Sequence, residues 1–234
     1  MIRLVTLTAL LLTLAAPAGA VAPVALFGTA EFRAESHAAL PKWQKVLTGI
    51  EAEKPIYERC ARDASACPSR GVMAWQALLD GLHGAPAAEQ VTKINRFVNQ
   101  WRYRTDAENF GTSDHWSTPL EFMRRSGDCE DYAITKYVSL RRLGFPAERL
   151  RLVVLQDTLR DLAHAVLAVY MDQDVLILDN LTNAVLPHER IFQYVPYYSI
   201  NEEARWAHVP AGRIMMSSAA TRPAGDLGAN GRAE

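Results

Sequence analysis

Excess charge is the first thing this chain lacks. Its 25 lysines and arginines nearly balance 26 aspartates and glutamates, leaving a formal net charge of −1 over 234 residues. No basic stripe and no basic run interleaved with aromatics occurs, which argues against a nucleic-acid partner. Nothing marks a lipid-binding surface either. Cysteine is scarce, with three residues in all (Cys60, Cys67 and Cys129), too few for a fold built on disulfides. The six histidines are scattered and show no zinc-ligand spacing. There is no D-x-D-x-D-G loop, so no EF-hand, and no internal repeat. Past the N-terminal segment no run is long and apolar enough to cross a bilayer.

The N-terminal segment itself reads as a secretory signal peptide over residues 1–20. Met1-Ile2-Arg3 is a short basic start, Leu4 to Ala16 is apolar apart from threonines, and Ala18-Gly19-Ala20 is a small-residue cleavage site. The apolar run is shorter than a membrane span requires. Cleavage after Ala20 removes Arg3, so the mature chain carries 24 basic and 26 acidic residues, a net charge of −2. The expected organisation is one domain over residues 21–210 and a small-residue, Gly/Pro-containing, disordered tail over 211–234. Export to an oxidising compartment also gives the cysteines a reading. Cys60 and Cys67 enclose a short polar loop and are expected to pair, leaving Cys129 as the free thiol, with two free thiols on that loop as the alternative.

The periodicity predicts helices over 41–53, 72–82 and 87–101, with Trp43, Val46, Leu47 and Ile50 on one face of the first. A polar loop follows over 105–119, containing Asp114-His115-Trp116. The next helix runs from Asp128 to about Leu143, where Gly144 and Pro146 end it. Ala133, Ile134, Tyr137, Val138 and Leu140 cover most of its circumference, so it should be a buried central helix. Residues 151–156, 165–171 and 175–178 are β-rich, and the last two should form a hairpin about Asp172-Gln173-Asp174, with more strand around 193–199. Helices followed by an antiparallel sheet make an α+β fold.

The chemistry concentrates in Gly127-Asp128-Cys129-Glu130-Asp131. Gly127 permits a tight approach and Asp128 is a suitable N-cap. Cys129 then falls in the first helical turn, where free N–H groups and the helix dipole favour a thiolate. His164 opens one predicted strand and Asp179 follows the next, so the hairpin can make them neighbours. Cysteine, histidine and aspartate in that order are the parts of an activated thiol nucleophile. Each also has a plainer reading. His164 can be a strand-edge histidine, Asp179 a turn residue, Trp116 a core tryptophan, and Asp128, Glu130 and Asp131 a cap and its dipole-complementing acids.

Trp116-Ser117-Thr118-Pro119-Leu120-Glu121, then Gly127-Asp128-Cys129-Glu130-Asp131, then a helix ending Leu143-Gly144, resembles the transglutaminase-like branch of the papain superfamily. In its finer pattern the stretch from about Ile94 to Asn180 is similar to the bacterial transglutaminase-like cysteine proteinases, the LapG-type periplasmic enzymes that trim large biofilm adhesins. The resemblance implies a papain-like α+β fold, with N-terminal helices and a buried catalytic helix packed on an antiparallel sheet. It implies Cys129 as nucleophile, His164 as base and Asp179 as orienting acid. It also implies calcium held by Asp128 and Glu130, with Asp131 beside them, and Trp116 as an oxyanion donor. A periplasmic endopeptidase of this kind would cut the N-terminal region of a large repeat adhesin, controlling biofilm release, and would be sequestered by an inner-membrane cyclic-di-GMP receptor. A transglutaminase or amidase using the same triad is the alternative within the fold, and a non-catalytic binding module the alternative outside enzymology.

Overall fold

The structure, a computed structural model, describes residues 25–210. The expected signal peptide and C-terminal tail lie outside the described residues. Five helices lead to a sixth that carries the Gly-Asp-Cys motif. They are α1 (Pro41–Arg62), α2 (Arg70–Leu82), α3 (Ala87–Val98), α4 (Asp106–Phe110), α5 (Pro119–Arg125) and α6 (Cys129–Arg142). The strands are β1 (Thr29–Ala34), β2 (Leu150–Asp157), β3 (Leu162–Tyr170), β4 (Val175–Leu178), β5 (Leu186–Pro187), β6 (Tyr194–Ile200) and β7 (Arg205–Pro210). They form one seven-stranded antiparallel sheet in the order β1-β7-β6-β2-β3-β4-β5.

The central strands read as continuous apolar runs because both sheet faces are covered. Leu150, Leu152, Leu167 and Val169 point into the core shared with the helices. Their alternating neighbours Val153, Leu155, Val166 and Ala168 point the other way, onto Leu26, Ile191 and Tyr194. α6 is the central helix expected from its sequence: every residue from Asp131 to Leu140 is buried. Trp75 donates its indole N–H to Ser139 Oγ at 2.8 Å, and Trp43 donates to the Asn201 carbonyl at 2.9 Å. These two bonds satisfy the polar ends of large core rings and tie α2 to α6 and α1 to the β6–β7 turn.

Three expectations need correction. α1 does not stop near residue 53 but continues to Arg62 through Pro55. Pro55 is exposed, and the turns beyond it are held by burial of Tyr57 and Cys60 and by the Cys60–Cys67 disulfide. α3 ends at Val98 rather than 101, its C-cap at Asn99, whose side-chain amide donates to the Asp179 and Thr182 carbonyls at 2.9 Å each. The loop over 105–119 contains a short helix, α4, closed at its start by a reciprocal capping box between Thr105 and Glu108. β1 and β7 add an edge that the sequence pattern did not reveal.

Candidate active site

Cys129 is the first residue of α6, and the chain reaches it through a tight fold-back. Asp131 turns its carboxylate over the preceding loop: Oδ1 accepts the Ser117 N–H at 2.7 Å and Oδ2 accepts the Asp128 N–H at 3.3 Å. A Cβ at residue 127 would lie 2.0 Å from that Oδ2, so only glycine leaves room for this arrangement. Gly127 also accepts the Arg104 N–H at 2.9 Å, which holds the segment 102–104 alongside. The α5 cap adds a second brace. Thr118 and Glu121 form a capping box, with Pro119 in the first helical turn.

His164 lies on β3 and Asp179 immediately follows β4, the two strands pairing from Leu167↔Leu178 to Tyr170↔Val175. His164 Nε2 and Asp179 Oδ1 are 3.0 Å apart, and both residues are buried. Asp179 Oδ1 also accepts the Leu181 N–H at 3.0 Å, while Oδ2 accepts the Tyr194 hydroxyl at 2.5 Å. Burial opposes the charge of Asp179, but the hydrogen bonds from His164, Tyr194 and Leu181 outweigh it and hold the carboxyl below its ordinary value. Behind it, Lys136 is fully buried on α6 with no hydrogen-bond partner. Burial pushes its ammonium down to about 7, against the pull of Asp179.

Cys129 and His164 line the same cleft, a cavity of about 270 Å³ with Tyr103, Leu162, Asn180 and Leu181 among its walls. The Ala165 N–H also faces the sulfur, which places the thiol against β3 one residue from His164. The expectation that the helix start favours a thiolate is corrected by the thiol's neighbours. Burial, then the charges of Glu130 and Asp128, push the Cys129 thiol up, and its S–H donates to Glu130 Oε2 at 3.3 Å.

Those carboxylates belong to a larger set. Oxygens of Asp106, Asp128 and Asp131 lie within 4.8 Å of one another, as do oxygens of Asp106, Asp114 and Glu130. Asp106 Oδ1 and Asp128 Oδ1 are buried without a hydrogen-bond partner. Burial, then Glu130 and Asp106, raises the Asp128 carboxyl to about 9, and burial with Asp128 and Asp106 raises Asp131 to about 8. Crowded carboxylates with orphaned oxygens suit a hard divalent cation taking six or more oxygen ligands, of which calcium is the type.

With this geometry, comparison with known proteins is decisive. The family described as "Bacterial transglutaminase-like cysteine proteinase BTLCP" matches residues 49–213. The chain belongs to this family. Calcium-bound LapG of Legionella pneumophila is 34% identical, with a TM-score of 0.59 over 64% of this chain and 87% of that one. Another LapG structure from that organism is 32% identical, with a TM-score of 0.59 over 70% of this chain and 94% of that one. EGTA-treated LapG is 31% identical, with a TM-score of 0.58 over 70% of this chain and 94% of that one. No curated protein matches the sequence. The chain is thus a transglutaminase-like cysteine proteinase by family and by fold.

Within this family frame, the structure brings Cys129, His164 and Asp179 to one place and sets Asp128, Glu130 and Asp131 beside them. It does not set Trp116 in the wall of the Cys129 cleft. That indole packs edge-on against Trp43 at 6.4 Å and lines a separate groove over α1. Three residues escaped the sequence reading. Asp106 and Asp114 join the carboxylate set from the polar loop. The Thr105-x-x-Glu108 capping box was a legible sign that Asp106 is held on a helix start. Tyr194 reaches Asp179 only through the pairing of β6 with β2, and nothing local in the sequence announces it.

Proposed function

We propose that this protein is a calcium-dependent cysteine endopeptidase of the periplasm that cuts the N-terminal region of a large repeat adhesin and so controls biofilm release. The observation that carries the reading is the placement of Cys129 at the start of α6, in one cleft with a histidine already bonded to a buried carboxylate. Asp179 accepts from Nε2, which fixes the tautomer and leaves Nδ1 as the base. Nδ1 takes the Cys129 proton, the thiolate attacks the scissile carbonyl, and the imidazolium returns the proton to the leaving amine. Water then hydrolyses the thioester with His164 again as base. The Cys129 main-chain N–H, at the first helical position, would donate to the oxyanion.

Asp106, Asp114, Asp128 and Glu130 would hold the calcium, with Asp131 joining them while it ties Ser117 to the helix start. When bound, the cation offsets the negative charge that pushes the thiol up and fixes the loop that enters α6. The similarity to calcium-bound LapG supports this assignment. The resemblance to LapG-type enzymes supports the remaining parts: export through a signal peptide cleaved after Ala20, an adhesin substrate, and sequestration by an inner-membrane cyclic-di-GMP receptor.

The test is product analysis. Purified protein with calcium is incubated with the N-terminal fragment of a large repeat adhesin from the same organism, and the products are read by mass spectrometry. New peptide termini, absent with Cys129→Ala, are expected. Isopeptide bonds without new termini would assign amine transfer instead, and an unreacted fragment would leave a binding module. N-terminal sequencing of the cell-fractionated protein tests the compartment, with Val21 as the expected first residue.

A further inference from the structure

We infer that a basic recess adjoining the Cys129 cleft binds an acidic segment of the polypeptide substrate beside the scissile bond; this deepens the protease reading and rests on it. The recess, about 360 Å³, is lined by Arg102, Arg104, Arg124 and Arg125, with Asn109, Ser126 and one carboxylate, Glu108. All four arginines are exposed, and none has an ion-pair partner among the described residues. Arg33 and Arg149 each pair with a carboxylate, at 2.8 and 2.9 Å, and other exposed arginines such as Arg59 and Arg96 are unpaired singly, so what sets the recess apart is four unpaired arginines in one place. Glu108 offsets only one of the four charges, and its Oε2 accepts the Thr105 N–H in the α4 capping box at 3.0 Å. Arg125 is held in place by the Phe110 ring, 5.5 Å below its guanidinium. Four positive charges against one negative stand out on a chain whose net charge is −1.

The recess and the cleft share a wall. Residues 102–104 run alongside Gly127 through a parallel bridge at Tyr103. An extended segment alternates its side chains, so Arg102 and Arg104 enter the recess while Tyr103 enters the Cys129 cleft. Ser126, on the other side, precedes the motif that delivers the thiol. A substrate strand leaving the cleft over Tyr103 therefore meets the arginines within a few residues of the cut bond. Guanidinium forks without a carboxylate partner, of which Arg125 also donates to the Asn109 carbonyl at 3.5 Å, suit carboxylates of aspartate or glutamate side chains.

The experiment has two arms on the full protein. Octaglutamate is titrated by calorimetry at low salt, and cleavage of the adhesin fragment is followed kinetically. Arg124→Gln/Arg125→Gln should weaken octaglutamate about tenfold and raise KM about tenfold, with kcat within about twofold. Lys45→Gln/Lys54→Gln, on α1, should change neither. Added salt should weaken octaglutamate, and octaglutamine should not bind. Equal octaglutamate affinity in wild type and the arginine double variant would overturn the inference. So would equal weakening by the α1 variant, or saturable binding of inorganic phosphate at these arginines without binding of octaglutamate. Wild-type cleavage with KM unchanged in the arginine variant would also overturn it while leaving the protease reading intact. A wild-type protein that binds octaglutamate at the arginines but cuts nothing would overturn the protease reading while leaving the recess as a site for acidic polypeptide.

Discussion

The two sides of Cys129 are built on opposite principles. On the β3–β4 side, His164 and Asp179 form a pair whose polar atoms are answered by protein: the Asp179 carboxylate takes His164, Tyr194 and Leu181, and its charge is stabilised despite burial. On the loop side, Asp106, Asp128, Glu130 and Asp131 crowd together with two buried oxygens unanswered, and burial with mutual repulsion raises Asp128 and Asp131. One half is complete with protein groups alone. The other half carries an excess of carboxylates that a proton or a cation must balance, and the thiol sits between them. The comparison teaches that in this fold His164, the proposed base, is positioned by the sheet, whereas the environment of Cys129, the proposed nucleophile, is set by the loop.

Substitutions that separate the halves order themselves by expected effect. Cys129→Ala removes the nucleophile and little volume, so cleavage should fall by about 10⁴-fold or more while the melting temperature holds. Asp179→Asn should cost less, roughly 10²- to 10⁴-fold in rate, because it misorients the base and leaves the thiol. It should bind calcium as wild type does, since it lies in the other half. Glu130→Gln should invert that pattern: calcium affinity by calorimetry should drop at least about tenfold, and activity should return at raised calcium. Calcium affinity lost in Asp179→Asn, or kept in Glu130→Gln, would break the division.

The pH dependence of stability sharpens it further. The Asp128 and Asp131 carboxyls stand at about 9 and about 8 in the folded chain, far above the ordinary 3.8. An acid whose folded pKa is raised gives stability that is fully present below its unfolded value and is lost as pH rises through the folded one. In EGTA the melting temperature should therefore fall from about pH 4 to about pH 9, and saturating calcium should abolish the fall. A melting temperature that rises with pH in EGTA across that window would contradict the assignment. The smallest effect is expected for Tyr194→Phe, which deletes one of the bonds to Asp179. A loss of about 1 kcal/mol, or a few-fold in rate, is expected in the same cleavage assay.

Local signals were legible and long-range ones were not. Gly127, the α6 start and its apolar circumference are properties of one segment, and the structure keeps them. The Cys60–Cys67 loop and the β3–β4 hairpin close over short distances, and the hairpin alone suffices to bring His164 to Asp179. β1 pairs with β7 across the whole described chain, Thr29 with Pro210, and no local pattern encodes such a partner. Asp106 and Asp114 were hidden because a polar loop looks the same whether its acids face water or each other. Pro55 is a local helix breaker, yet the buried Tyr57 and Cys60 carry α1 past it, a case of tertiary packing outweighing a local signal.

The measurement that tests the account most directly is the rate of adhesin-fragment cleavage as a function of free calcium, set with EGTA buffers. A protease whose Cys129 environment is balanced by the cation should show no cleavage in excess EGTA, a saturable rise with calcium and full recovery when calcium is restored. A rate unchanged by EGTA would contradict the claim that the loop half of the site is incomplete without it.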